Sequence, residues 1–190
     1  MIQHPSWLMW SDELSAKDCA DIIAAAEKDA DLVAARTFRT GQAEDDGNDG
    51  HRLTNIRWLN NEAFPDLHDL IWRYARAANE TFDLSLSRLP SIQFTEYAEP
   101  GHHYDTHHDI DWYRQDSLHR KLSVCIQLSD PDKYEGGDFT FENTENPDPE
   151  ALRMRGTVLA FPSYHDHSVS PIVDGCRYSL VAWVEGPRWR

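Results

Sequence analysis

The sequence predicts a mainly β fold with flanking α-helices, and three observations carry that reading. Two helical patterns stand in the first 82 residues, five short strand-like runs follow Pro90, and glycine, proline and aspartate turns separate those runs. The first helix is expected from Ser15 in SAKDCADIIAAAEKDADLVAAR, residues 15–36. Ser15 can cap it, Asp18 stands three positions on, and Ile22, Ile23, Ala26 and Val33 fall on one side of an alanine-rich segment. The second is PDLHDLIWRYARAANETF, residues 65–82. It opens with Pro65, whose missing N–H costs nothing at a helix start, and spaces Leu67, Leu70, Ile71, Tyr74 and Ala78 at helical intervals. Both read as amphipathic covers. The runs IQFTEY, KLSVCIQLSD, GDFTF, GTVLAFP and RYSLVAWV are rich in β-branched and aromatic residues, and together predict a many-stranded antiparallel unit behind the helices.

Composition narrows the function classes. At 190 residues and 40% hydrophobic content, the chain is expected to form a single domain, 1–190, with a helical part over about 1–90 and a β core over about 91–186. A formal net charge of -15 repels phosphate backbones, because non-specific nucleic-acid affinity comes from lysine and arginine displacing counterions. That argues against a nucleic-acid partner. No basic segment precedes the short apolar patch near the start, and no apolar run reaches membrane-spanning length, so neither a signal peptide nor a membrane partner is expected. Cys19, Cys125 and Cys176 are odd in number and lie in no metal-ligand spacing, which predicts free buried thiols and a reducing, cytoplasmic location. GQAEDDGNDG, residues 41–50, reads as a solvated loop, and most of the seven tryptophans as packing residues. Oligomeric state does not follow from the sequence.

The segment carrying most chemistry is GHHYDTHHDID, residues 101–111, where four of the ten histidines mix with three aspartates. In a strand, residues two apart face the same side, so His-x-Asp delivers an imidazole and a carboxylate into one space. Two histidines plus one carboxylate on one face of a metal suits non-haem Fe(II) with open positions. Two pairs compete, His103 with Asp105 and His107 with Asp109, and either His165 or His167 can complete the set. Periodicity does not choose among them.

Four segments carry a family resemblance. Tyr97, Gly101, Tyr104, His107 and Asp109 form the first, and LSVCIQLSDPDKYEGGDF, residues 122–139, with Gly136 and Gly137, forms the second. The third is the FPS run followed by His167-x-Val169-x-Pro171, and the fourth is Gly175-x-Arg177-Tyr178 leading to Trp183. In this order and spacing the chain resembles the Fe(II)- and 2-oxoglutarate-dependent dioxygenases of the prolyl 4-hydroxylase superfamily, especially the bacterial PKHD-type hydroxylases. The resemblance implies a double-stranded β-helix, a cupin-like jelly roll with the N-terminal helices packed on one sheet. It implies His107, Asp109 and His167 as the iron ligands, with His103, Asp105, His108 and His165 as neighbours.

It further implies Arg177 and Tyr97 as the receivers of the distal carboxylate of 2-oxoglutarate, a task suited to a planar, permanently charged guanidinium. Ser179 joins that cosubstrate set. Gln127 stands where some prolyl hydroxylases carry a second tyrosine, and its amide can still donate a hydrogen bond. By strand parity Gln93 and Thr95 face the same way as Tyr97, and Ser179, Val181 and Trp183 the same way as Arg177. Tyr104 and Trp183 are expected to line the pocket. The implied cofactor and cosubstrates are Fe(II), 2-oxoglutarate and O2, with ascorbate as reductant. The implied reaction hydroxylates a prolyl residue in a peptide or protein while 2-oxoglutarate is decarboxylated to succinate. Alternatives are a free amino acid or another small molecule as substrate, a nucleic-acid demethylase, and a non-enzymatic cupin-like metal-binding module. Asp109 favours hydroxylation over halogenation, since related halogenases carry a small residue there. The 41–50 loop and IDWYRQDSLHR, residues 110–120, are expected to meet the substrate.

Overall fold

The computed structural model describes residues 5–35, 50–112 and 115–189. Three helices accompany antiparallel sheets. Helix α1 spans Ala16–Asp29 and starts at the predicted place: Ser15 Oγ accepts from the Asp18 amide, while the Asp18 carboxylate accepts from the Ser15 amide at 3.0 Å. It ends earlier than the alanine-rich pattern suggests. Ala30 is extended, and Val33–Ala34 forms a strand, β2, because the β-branched Val33 finds a ladder partner in Ile56. Helix α2 spans Pro65–Phe82 with proline in its first turn and buries His68, Ile71, Tyr74, Ala75 and Ala78. A short α3, Pro149–Arg153, has no counterpart in the sequence reading.

The larger sheet has seven strands. In spatial order they are β1 (Leu8–Trp10), β10 (Val158–Pro162), β7 (Leu118–Gln127), β13 (Arg177–Pro187), β5 (Ile92–Tyr97), β4 (Asn55–Leu59) and β2. Facing it is a four-stranded sheet of β3 (Arg52–Leu53), β6 (His103–His107), β11 (His167–Val169) and β9 (Phe139–Phe141). A two-stranded ribbon joins β12 (Ile172–Gly175) to β8 (Tyr134–Gly136). All the ladders are antiparallel, as the sequence predicts, in the jelly-roll arrangement the resemblance implies.

The central strands of the large sheet are buried on both faces, and parity divides their labour. Ile92 and Phe94 of β5, Leu122, Val124 and Ile126 of β7, and Leu180, Ala182 and Val184 of β13 join Ile71, Ala75 and Ala78 of α2 in one core. Gln93, Thr95, Tyr97, Ser123, Cys125, Arg177, Ser179 and Trp183 point to the other face. The apolar layer under the helices therefore holds rigid the strands that present the polar layer. Of the thiols, Cys19 is fully buried and Cys125 and Cys176 are half-buried, and all are free. Trp58 and Trp112 depart from the packing role expected of tryptophans, at 43% and 49% exposure. Among the described residues, no helix is long and apolar enough to cross a membrane.

The glycine pair singled out in the sequence shapes the ribbon beside Arg177. Gly136 has φ +76°, and a Cβ there would meet the Pro171 carbonyl oxygen at 2.1 Å; at Gly137, φ +65°, it would meet Ile172 Cδ1 at 2.6 Å and Arg177 Cδ at 3.0 Å. Gly136→Ala is accordingly expected to cost about 3 kcal/mol or more, combining left-handed strain with a backbone clash. Gly101→Ala, at φ +89° with nothing within 4 Å, should cost only about 1 kcal/mol. Urea denaturation of the two variants checks the difference.

Candidate active site

Cross-strand register brings the functional residues together as opposed pairs. His167 of β11 lies directly opposite His107 of β6, and their ring centroids are 4.3 Å apart. Asp109 follows two residues after the end of β6, fixed by its amide donating to the Ser163 carbonyl at 2.9 Å. The nearest nitrogens, Nε2 of His107 and Nε2 of His167, each lie 3.8 Å from a different oxygen of the Asp109 carboxylate. All three offer one ligand atom within 4.8 Å of the others.

The same device orients both imidazoles. His107 Nδ1 sits 2.8 Å from the Asp105 carbonyl and His167 Nδ1 sits 2.9 Å from the His165 carbonyl. A carbonyl only accepts, so each Nδ1 carries the proton and each Nε2 presents its lone pair to the shared space. Burial, helped by the neighbouring His167, pushes the His107 pKa down to about 3 and keeps that ring neutral. Burial by itself opposes ionisation of Asp109. His167, His107, Arg120 and the Ser123 hydroxyl outweigh it and hold the carboxyl below its ordinary value. Ser123 Oγ donates to Asp109 Oδ2 at 2.6 Å and is itself 2.9 Å from Ser163 Oγ. Two imidazoles that turn Nε2 to the shared space and one carboxylate, each steadied by an outer partner, are a donor set that fits a divalent metal such as Fe(II).

The titration of His107 has a consequence for the metal-free chain. An unfolded histidine takes up a proton near 6.5 and the folded His107 only near 3, so the unfolded state binds more protons throughout that window. Stability therefore falls as pH is lowered from about 6.5, by roughly 3 kcal/mol at pH 4.5, and the depressed Asp109 acts in the same direction at lower pH. Thermal melts of metal-free protein between pH 7 and 4.5 should show this slope, and His107→Gln should remove the His107 share.

Ten of the eleven predicted site residues line one cavity between the two sheets: His107, Asp109, His167, Arg177, Tyr97, Ser179, Gln93, Thr95, Tyr104 and Trp183. The eleventh, Gln127, lines an adjoining cavity that shares Arg177, Ser179 and Cys125 with the first. It is opposite Ser179 in the β7·β13 ladder, and its amide is 2.9 Å from the Tyr134 hydroxyl. Arg177 is directly opposite Tyr97, with its Cζ 5.3 Å from the centre of the Tyr97 ring. It is 7% exposed, its Nε has no partner, and no carboxylate among the described residues pairs with it. A buried guanidinium with an idle donor suits a carboxylate ligand such as that of 2-oxoglutarate.

The competing histidines face elsewhere. His103 places Nδ1 2.7 Å from the Gly101 carbonyl and Nε2 2.9 Å from that of Gly50, and Asp105 is 57% exposed at its side chain. His108 meets the Trp112 indole N–H at 3.3 Å. His165 packs against Tyr164 and Phe141. Three participants lie outside the sequence prediction. Arg52 enters the cavity from β3, and Ser123 and Ser163 support Asp109. The parity of Ser123 with Gln127 on β7 was the one signal that could have found it. Residues 41–49 of the expected substrate loop, and Tyr113 and Arg114 of the other, lie outside the described residues.

A sequence profile of the 2OG-Fe(II) oxygenase superfamily matches residues 92–185, the stretch that supplies all three members of the metal-binding set and Arg177. A PKHD-type hydroxylase of Synechococcus elongatus is 37% identical over 103 residues, which cover 52% of this chain and 44% of that protein. One from Verminephrobacter eiseniae is 29% identical over 178 residues, covering 87% of this chain and 76% of the relative. The chain spans less than half the length of the first curated relatives it matches. Among solved structures, a Pseudomonas putida prolyl-4-hydroxylase superposes with a TM-score of 0.67 at 21% identity, covering 98% of this chain and 95% of that one. A Trichoplax adhaerens prolyl hydroxylase in complex with a hypoxia inducible factor peptide fragment gives 0.68 at 17% identity, covering 94% and 83%. At these identities the likeness is one of fold.

Proposed function

We propose, from the premise that this chain belongs to the 2OG-Fe(II) oxygenase superfamily, that it is an Fe(II)- and 2-oxoglutarate-dependent hydroxylase of a prolyl residue in a peptide or protein. The observation that carries the reading is the presence, in one cavity, of the His107, Asp109 and His167 donor set and an Arg177 guanidinium without a carboxylate partner among the described residues. The prolyl substrate is supported by the names of the relatives and fold neighbours.

His107 and His167 would hold the metal through Nε2, and Asp109 through its carboxylate, in the orientation that the Asp105 and His165 carbonyls and Ser123 fix. Arg177 binds the distal carboxylate of the cosubstrate, assisted by the Tyr97 hydroxyl and by Ser179 and Gln127. Phe139, Val169 and Val181 exclude water, and Tyr104 and Trp183 wall the space in which the substrate carbon must sit. Bound there, Fe(II) and 2-oxoglutarate would supply the dioxygen activation needed for hydroxylation, one oxygen atom going to the substrate and the other to succinate as carbon dioxide is lost. Ascorbate as reductant is part of the same proposal. The test is anaerobic reconstitution with Fe(II) and 2-oxoglutarate, then oxygen with prolyl peptides, free proline and methylated oligonucleotides. Succinate formed in step with hydroxyprolyl product is the expected result, and turnover confined to the oligonucleotides would overturn it.

A further inference from the structure

The cavity holds two guanidiniums, and only one has been given a task. Arg177 reaches it from the large sheet, whereas Arg52 reaches it from the small one, where it lies opposite Tyr104. Arg52 is 8% exposed. Its Nη2 donates to Gln93 Oε1 at 2.7 Å, and its Cζ sits 4.5 Å from the centre of the Tyr104 ring. Both partners are neutral, and Gln93 Oε1 is already shared with the Thr95 hydroxyl at 3.3 Å. The Arg52 Nε is buried without an acceptor, and among the described residues no carboxylate pairs with it.

Charge balance makes this second arginine informative. Asp109 is the sole carboxylate among the residues lining the cavity, and the phenols and thiol there are neutral at their ordinary pKa values. Asp109 offsets one guanidinium, and a 2-oxoglutarate dianion offsets a divalent metal. One positive charge is then left in a site shielded from water, where an unpaired ion is costly. A peptide carbonyl satisfies a hydrogen-bond donor but brings no charge. A carboxylate brings both, and its two oxygens match a guanidinium edge. A second buried donor without a partner, the Trp183 indole N–H, lines the same cavity and is available to the same group.

We propose that Arg52 receives a carboxylate of the substrate, so that the residue hydroxylated carries its own free carboxylate, as a free amino acid or the C-terminal residue of a peptide does. This rests on the oxygenase reading above: a C-terminal residue narrows its peptide substrate, and a free amino acid replaces it.

The test is anaerobic calorimetry on the full chain loaded with Fe(II) and 2-oxoglutarate. The probes are the twenty free L-amino acids, acetylglycyl-proline, and the carboxamide of each. At least one acid is expected to bind about tenfold or more tightly than its amide, and whether it is a free amino acid or the peptide identifies the source. Arg52→Gln should bring that ratio close to one while leaving 2-oxoglutarate affinity within about twofold, and Arg52→Lys should keep part of the preference. Equal binding of acids and amides, or no binding by any acid, overturns the proposal. So does Arg52→Gln weakening 2-oxoglutarate as much as the probe, which would assign Arg52 to the cosubstrate. If Arg52→Gln does not fold, the acid-to-amide ratio of the parent protein decides. Failure of the parent protein to bind 2-oxoglutarate removes the oxygenase reading and this one together.

Discussion

Replacing Arg177 with methionine is expected to raise the KM for 2-oxoglutarate about 100-fold, equivalent to ~2.8 kcal/mol, with a smaller change in kcat. The size follows from the setting. Arg177 is 93% buried and lies opposite Tyr97 across the ladder, its Cζ 5.3 Å from the centre of that ring, so its orientation is fixed before any ligand arrives. Methionine keeps most of the volume and loses the fork. Tyr97→Phe removes only a helper and should cost about tenfold or less, because the charged partner remains. Steady-state kinetics in 2-oxoglutarate at saturating oxygen distinguishes the two, and an Arg177→Met enzyme with unchanged KM would remove Arg177 from the cosubstrate site.

The second large effect separates the two His-x-Asp pairs. His107→Ala should abolish stoichiometric Fe(II) binding and reduce turnover by far more than the roughly 10- to 100-fold that an outer partner of a ligand is worth. Ser123→Ala, which removes such an outer partner from Asp109, should fall within that range. His103→Ala should leave iron binding intact, since both His103 ring nitrogens are engaged by the Gly101 and Gly50 carbonyls. Iron content by equilibrium dialysis measures all three. Loss of iron from the His103 variant and not from the His107 variant would show that the register of the pair is wrong.

Much of this architecture can be read in the sequence, and the reasons differ by element. The Ser15 capping box, Pro65 at the start of α2 and the alternation along IQFTEY and RYSLVAWV are local signals, so they survive folding unchanged. The end of α1 is not local. Alanine propensity extends the helix to residue 36, but strand pairing with β4 captures Val33 and Ala34. Parity placed Gln93, Thr95, Tyr97, Ser179 and Trp183 on the cavity face, yet it was silent between His107 and His103, whose parity is the same. The family resemblance chooses between them, and in the structure His107 stands opposite His167 across β6·β11. Arg52 was out of reach because β3 is two residues long and leaves no alternation to read, and because a single arginine after a polar loop carries no signal of burial. Its position becomes evident only once the small sheet folds over the large one.

The most direct measurement of the central claim is an anaerobic titration of the Fe(II)-loaded protein with 2-oxoglutarate, followed by visible absorption. A metal-to-ligand charge-transfer band is expected, saturating at one 2-oxoglutarate per chain and needing higher 2-oxoglutarate in Arg177→Met. Stoichiometric iron binding at His107, Asp109 and His167 with no such band at any 2-oxoglutarate concentration would contradict that claim.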